Sequence, residues 1–217
     1  YLGEDAESAP LHRLGSDTWE KAKKRAQKKI YDIATELLDM EATRSSRVGF
    51  SFHIPQDEYA AFVADFPFEE TPDQERVMSE VLKDLSSSQP MNRLVCGDVG
   101  FGKTEIALRA AFAAVYNQKQ VALLVPTTLL AQQHFETFSD RFADLPIQVE
   151  LLSRFRNRKD IENLLESLSR GYTDIVIGTH RLLQQDIRFR DLGLLIIDEE
   201  HRFGVRQKET LKKLRQE

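Results

Sequence analysis

The most informative part of the chain reads Gly97-Asp98-Val99-Gly100-Phe101-Gly102-Lys103-Thr104. It fits the pattern G-x-x-x-x-G-K-[ST] and stands between the apolar run Leu94-Val95-Cys96 and a helical pattern over 105–116. Glycines let successive backbone N–H groups converge on phosphate oxygens, and the start of a helix adds partial positive charge. We predict that all eight residues contact a nucleotide, with Lys103 on the β- and γ-phosphates and Thr104 on Mg²⁺.

An acidic motif follows a second apolar run near the end of the chain. Leu194-Leu195-Ile196-Ile197 leads directly into Asp198-Glu199. Carboxylates at the carboxyl edge of a parallel sheet are suited to a magnesium ion and an attacking water. We predict that Asp198 holds the metal and that Glu199 orients or deprotonates the water. Together with Lys103, they form the candidate catalytic set.

Short apolar runs alternate with helical stretches over the last two thirds of the chain. The five runs begin at Leu94, Val121, Ile147, Ile175 and Leu194. This alternation predicts an α/β fold with a mainly parallel sheet flanked by helices. Thr71 and Pro72 have the residue types of an N-cap and a first helical position, so a helix is expected to begin there. Cys96 is interpreted as a small core residue.

The first 49 residues have a different pattern. Residues 1–16 show no periodicity and are interpreted as a connector. Within 17–49, apolar residues from Trp19 to Met40 recur at three- and four-residue steps, which predicts a long amphipathic helix. Its other face carries Lys21, Lys23, Lys24, Arg25, Lys28 and Lys29. A solvated face and a binding surface are both compatible with this charge. Residues 50–217 then form the predicted nucleotide-binding domain.

Composition limits the possible classes of protein. The chain has 217 residues, of which 41% are hydrophobic and 30% charged, with a formal net charge of −5. These values fit a globular protein and exclude a basic coat for nucleic acid over the whole surface. The single cysteine cannot form an internal disulfide, and no apolar run reaches the length of about 18 residues that a membrane span needs. We therefore expect a cytoplasmic protein without a membrane partner, and the lack of an initiating Met indicates a fragment.

The two motifs together resemble motifs I and II of superfamily-two helicases and translocases, which have RecA-like lobes. Within that superfamily, residues 97–100, 126–134 and 198–205 resemble a branch of double-stranded DNA translocases that contains RecG. The chain further resembles the bacterial transcription-repair coupling factors at Ser153-Arg154-Phe155-Arg156, at Glu200 and over residues 10–15. This likeness runs over essentially the whole chain. It implies ATP and Mg²⁺ as cofactors and a RecA-like lobe preceded by the long helix.

The resemblance also implies roles for residues outside the two motifs. Phe66 and Phe68 supply an aromatic ring that stacks on adenine, and the Gln74 amide pairs with the edge of the base. The implied DNA contacts are Thr127, Thr128, Arg154, Thr179 and His180. The implied coupling residues are Glu200, His201, Arg202 and Phe203. A metal-ligand role for His201 is disfavoured, because no second His or Cys lies at ligand spacing. For Arg156, Arg158 and Lys159, a phosphate contact and a solvated loop are equally compatible with the sequence.

The same resemblance implies a function for the whole protein. The family uses ATP to move on double-stranded DNA, displaces stalled RNA polymerase and recruits the damage-recognition protein of nucleotide-excision repair through regions outside this chain. Residues 1–16 then end the polymerase-interacting domain, and 17–49 link it to the first motor lobe. The arginine finger of the family lies in the second lobe. The chain alone is therefore expected to bind nucleotide and to hydrolyse it very slowly.

Three other functions stay open on the sequence alone. One is a RecG-like translocase that moves DNA branch points. Another is a self-contained ATPase that needs no DNA, whereas a GTPase is disfavoured because no Asn-Lys-x-Asp segment is present. The last is a protein-binding module that docks through residues 1–43 and leaves its nucleotide site idle.

Overall fold

The computed structural model describes residues 17–98 and 100–199, so the connector predicted over 1–16 lies outside the described residues. The chain divides into two compact units, Tyr1–Ser46 and Arg47–Glu217. The first unit contains helix α1 (Asp17–Ser46), and the predicted long helix is therefore confirmed. Trp19 and Ile30 of its apolar face are 48% and 66% exposed.

The second unit is an α/β domain. Its helices are α2 (Gln56–Ala64), α3 (Pro72–Leu85), α4 (Lys103–Tyr116), α5 (Thr128–Arg141) and α6 (Arg158–Arg170). Its strands are β1 (Gln120–Leu124), β2 (Val149–Leu152), β3 (Ile175–Gly178) and β4 (Leu192–Ile197), with a short 3-10 helix at His180–Leu183. The strands form one sheet in the order β2-β3-β1-β4, and every pairing is parallel. This confirms the predicted fold class.

Both faces of the sheet are covered, which explains the continuous apolar runs of its central strands. Successive side chains of a strand point to opposite faces. Val121 and Leu123 of β1 therefore pack into a core with the helices that precede and follow the strand, including Leu108 of α4. Ala122 and Leu124 pack on the other face, against α6 residues such as Leu168. All five residues of β1 are buried.

The strand predicted at Leu94-Val95-Cys96 is wrong. No strand is assigned to residues 91–98. Leu94 is 80% exposed, and only Val95 of the three packs against the core. Cys96 is exposed, so its assignment to the core is also wrong. With a single inward-facing side chain, this run buries too little apolar surface to hold it in the sheet; the phosphate-loop motif therefore follows an irregular segment.

The strand register determines what meets at the carboxyl edge of the sheet. Leu124 of β1 pairs with Gly178 of β3 on one side and with Ile197 of β4 on the other. Leu152 of β2 also pairs with Gly178. The four segments that follow these strands consequently leave the sheet side by side, in the position where open α/β sheets bind ligands. No helix in the described part of the chain is long and apolar enough to cross a membrane.

Candidate functional site

The phosphate-loop motif forms a tight turn that ends where α4 begins. Gly100 and Gly102 have φ values of 84° and 72°, in the left-handed region that glycine adopts without strain. A Cβ atom on Gly102 would lie only 2.4 Å from Nε2 of Gln74. The backbone conformation therefore favours glycine at position 102, and any larger residue would also displace the Gln74 amide. Val99 lies outside the described residues.

Lys103 is the first residue of α4 and bends back over the loop. Its ammonium nitrogen donates hydrogen bonds to the carbonyl oxygens of Gly97 at 2.6 Å and Asp98 at 2.8 Å. A lysine ammonium has three donors, so one is left for a phosphate oxygen. Thr104 follows it in the first turn of α4, beside the N–H groups that the helix itself does not use.

Asp198 directly follows β4 and is held in place by three hydrogen bonds. Its backbone N–H donates to the Leu124 carbonyl at 2.9 Å, which extends the β1–β4 ladder. One carboxylate oxygen accepts from the backbone N–H of Glu199 at 2.9 Å, and the other from Nε2 of His134 at 2.9 Å.

The environment keeps the Asp198 carboxylate ionised. The hydrogen bond from His134 lowers the pKa of Asp198 against the opposing effect of burial, and the charge of Lys103 lowers it further. The charge of Lys103 thus acts on Asp198 although 95 positions separate them in the chain. An ionised carboxylate is one of the oxygen ligands that Mg²⁺ prefers, together with waters and phosphate oxygens.

Glu199 has an unusual backbone. Its φ is 50°, which places a non-glycine residue in the left-handed region. Such conformations cost roughly 1–3 kcal/mol and cluster at functional sites, where surrounding contacts hold them in place. Here the bond from the Glu199 N–H to Asp198 fixes the turn.

His134 is a site residue that the sequence did not reveal. It lies in α5 with 8% exposure and contacts Asp198. The sequence alone suggests only a surface or core position for His134, because no partner residue lies at a spacing typical of a catalytic or metal site. The contact crosses 64 positions of sequence, and only the pairing of β1 with β4 brings the two residues together.

The first turn of α3 reaches the phosphate-loop motif through Gln74. Thr71 is the N-cap of α3 and accepts from the Gln74 N–H, so the helix start predicted at Thr71-Pro72 is confirmed. The Gln74 side-chain carbonyl accepts from the Thr71 N–H at 2.8 Å, and its Nε2 donates to the Phe101 carbonyl at 2.8 Å. The Phe66 and Phe68 rings meet edge to face, 5.5 Å apart. Phe66, Gln74 and Gly102 line one small pocket.

The candidate DNA contacts lie along the carboxyl edge of the sheet. Thr127 follows β1 and caps α5 by accepting from the Leu130 N–H at 3.2 Å, and Thr128 begins that helix. Thr179 follows β3 and is buried, whereas the next residue, His180, is exposed. Arg154 follows β2, is exposed, and lies over the Phe155 ring at 5.1 Å.

The basic cluster near Arg154 is partly neutralised. Arg156 pairs with Glu150 at 2.7 Å, and Arg158 pairs with Glu162 at 2.9 Å.

The four coupling candidates 200–203 lie outside the described residues. Within residues 17–98 and 100–199, no group of three or more His, Cys, Asp or Glu side chains could hold a metal by itself.

Comparisons with known proteins identify the family of the chain. Residues 71–217 match the family model described as DEAD/DEAH box helicase. The chain belongs to the DEAD/DEAH box helicase family. Membership implies ATP binding with a divalent metal. In structure, this helicase chain resembles "RecG bound to three-way DNA junction", with a TM-score of 0.72 and 36% identity over 86% of this chain and 26% of that one.

Curated relatives of this helicase chain share one description. It is 59% identical to the transcription-repair-coupling factor of Haemophilus influenzae and 55% identical to that of Escherichia coli K12. Each match covers 99% of this chain and 19% of the relative. The chain thus spans about a fifth of the length of these relatives.

Proposed function

We propose that the chain is the nucleotide-binding lobe of an ATP-driven, double-stranded DNA translocase that acts in transcription-coupled DNA repair. The observation that carries the proposal is the combination of a phosphate-loop turn, whose Lys103 begins α4, with Asp198 and the strained Glu199 at the end of β4. This is the arrangement needed to hold a nucleoside triphosphate and to direct a water at its γ-phosphate. The identity to curated coupling factors supports the biological setting.

Each group of the site has a distinct task in the proposed reaction. The loop N–H groups and Lys103 bind and orient the phosphates. Thr104 and Asp198 hold Mg²⁺, which when bound neutralises charge on the phosphate oxygens. Glu199 accepts a hydrogen bond from the attacking water and places it in line with the leaving group. His134 keeps the Asp198 carboxylate oriented and ionised.

The adenine subsite lies on the segment before α3 and on the first turn of that helix. The ring of Phe66 or Phe68 stacks on the base, and Phe68 is 72% exposed and accessible to it. The Gln74 carbonyl has a second lone pair and its NH₂ group a second hydrogen beyond the bonds already made. The amide can therefore pair with the edge of the base without releasing the phosphate loop.

The DNA and protein partners follow the same proposal. Five residues contact backbone phosphates of double-stranded DNA: Thr127, Thr128, Thr179, His180 and Arg154. Such contacts position the protein without reading the base sequence. Glu200, His201, Arg202 and Phe203 couple nucleotide state to DNA and to the second lobe. RNA polymerase binds near residues 1–16, and the damage-recognition protein of excision repair binds outside this chain. A cytoplasmic location fits the single cysteine.

A graft tests the proposal. The chain replaces the matching residues of the Haemophilus influenzae coupling factor, to which it is 59% identical, and the hybrid is mixed with RNA polymerase stalled on double-stranded DNA. We expect ATP-dependent release of the polymerase. The Glu199→Gln graft should bind ATP normally but release no polymerase, because water positioning is worth roughly 10²–10⁴ in rate. Remodelling of branched DNA without polymerase release would favour the RecG-like function instead.

A further inference from the structure

Two buried ionic side chains of α4, Glu105 and Arg109, lie within two turns after Lys103 and pair with partly buried charges from neighbouring segments. Arg109 is 4% exposed; its Nε donates to Glu105 at 2.7 Å, and one of its terminal nitrogens lies 2.9 Å from Glu70. Glu105 also pairs with Arg141 at 3.3 Å. The four residues, called the ionic group below, contain two positive and two negative charges. Buried charges are seldom found without such pairing.

The ionic group joins separate parts of the nucleotide site. Glu105 and Arg109 belong to α4, the helix that begins at the phosphate-binding Lys103. Glu70 lies immediately before Thr71, the cap of the helix that carries Gln74. Through Arg109, the segment proposed to bind the base is therefore tied directly to the helix proposed to bind the phosphates.

Arg109 also contacts an aromatic ring of the base segment. Its guanidinium carbon lies 5.6 Å from the centre of the Phe66 ring, within the range of a cation–π interaction. Arg109 is buried and Phe66 only partly so, which means that the guanidinium contacts the ring from the protein interior. Arg109 and Phe66 line the same small pocket as Gln74 and Gly102.

We propose that Arg109 is a positioning residue that fixes Phe66 and Glu70 to α4 and so sets how much the base contributes to nucleotide affinity. The inference rests on the proposed function, since it assigns the base to the Phe66 segment. Stabilisation of the fold does not by itself explain a buried ionic group, because apolar side chains of similar volume are often equally stabilising. A planar guanidinium that contacts two carboxylates and a ring does fix their relative positions.

The test compares ATP with inorganic triphosphate, which keeps the phosphates and lacks the base. Dissociation constants of both, with Mg²⁺, are measured by calorimetry for the wild-type chain and for Arg109→Met. We expect Arg109→Met to weaken ATP binding about tenfold, the range of one lost base–aromatic contact. Triphosphate binding should be unchanged. The control is Arg170→Met, which removes an exposed ion pair with Glu166 on α6 and should affect neither ligand.

A second variant keeps the test decisive if Arg109→Met does not fold. Glu70→Gln preserves the side-chain shape and leaves the Arg109–Glu105 pair intact, and it should cause the same selective loss on a smaller scale. Three results would overturn the inference. The variants could lose equal affinity for ATP and triphosphate, or neither variant could lose ATP affinity. The wild type could also bind ATP no better than triphosphate. A wild type that binds neither ligand would instead refute the proposed function, and the inference with it.

Discussion

Asp198 is the residue where the sheet and the proposed chemistry meet. Its backbone ends the β1–β4 ladder, while its carboxylate bonds to His134 and to the next N–H in the chain. One residue therefore fixes the end of a strand, the orientation of a helix side chain and the strained turn at Glu199. This explains how the carboxylate proposed as a metal ligand can be held rigidly at the edge of the sheet.

Lys103 is the residue on which nucleotide binding is expected to depend most. Lys103→Ala removes the charge that reaches the β- and γ-phosphates, so ATP binding with Mg²⁺ should be abolished in an equilibrium titration. The matched control is Lys159→Ala, which removes an exposed lysine from α6 and should leave ATP affinity unchanged. Retained ATP affinity in the Lys103 variant contradicts the phosphate-loop assignment.

Arg154 is an exposed DNA candidate that follows β2 and carries a positive charge. In the grafted coupling factor, Arg154→Ala should weaken binding to double-stranded DNA and reduce the slope of log affinity against log salt by about one. The control is Arg158→Ala, whose side chain is paired with Glu162. If the slope with Arg154→Ala equals that of the wild type, Arg154 makes no phosphate contact.

At this scale the sequence reveals local motifs better than long-range contacts. The phosphate-binding pattern lies within eight consecutive residues, so its glycines and Lys103 can be recognised directly. His134 cannot, because its role depends on a contact with Asp198 created by strand pairing. The same holds for Arg109 and Glu70, which meet only after α3 and α4 have packed together.

At the scale of elements, strands form where both faces can be buried. The runs at β1 and β3 are apolar throughout and fully buried, and the sequence predicts both correctly. The run at Leu94-Val95-Cys96 looks similar but packs only Val95 against the core. Apolar composition therefore predicts a strand reliably only where helices cover it on both faces.

Asp174 links β2 and β3 and gives a test of stability against pH. Its side chain accepts from the Gln148 N–H at 2.8 Å, but burial raises its pKa despite that bond. Because the folded-state pKa exceeds the unfolded value of about 3.9, the charged form is disfavoured by folding. The contribution of Asp174 to stability therefore falls as pH rises through this range.

Asp174→Asn keeps an acceptor for Gln148 and removes the charge. We expect the variant and the wild type to differ least near pH 3, and the variant to gain relative stability up to about pH 7, where the wild-type carboxylate is charged. Thermal melts at a series of pH values measure this. Asp144→Asn, at an exposed position, is the control and should show no such trend. A variant that loses relative stability as pH rises would contradict the explanation.

At the scale of the whole molecule, the described lobe brings the phosphate loop, Asp198-Glu199 and the candidate DNA contacts to one edge of one sheet. The alternation of strands and helices in the sequence is sufficient to predict this edge, because parallel strands all end on the same side. The alternation does not specify the strand order β2-β3-β1-β4. This order places Asp198 next to the end of β1. That neighbour relation is what joins α5 to the site.

The most direct test of the account is steady-state ATP hydrolysis by the 217-residue chain, with and without double-stranded DNA, beside the grafted coupling factor. An arginine finger supplied by a second lobe is worth roughly 10³–10⁵ in rate. We therefore predict near-zero turnover by the chain alone under both conditions and DNA-stimulated turnover by the graft. Rapid turnover by the chain alone, indifferent to DNA, would contradict the account and identify a self-contained ATPase.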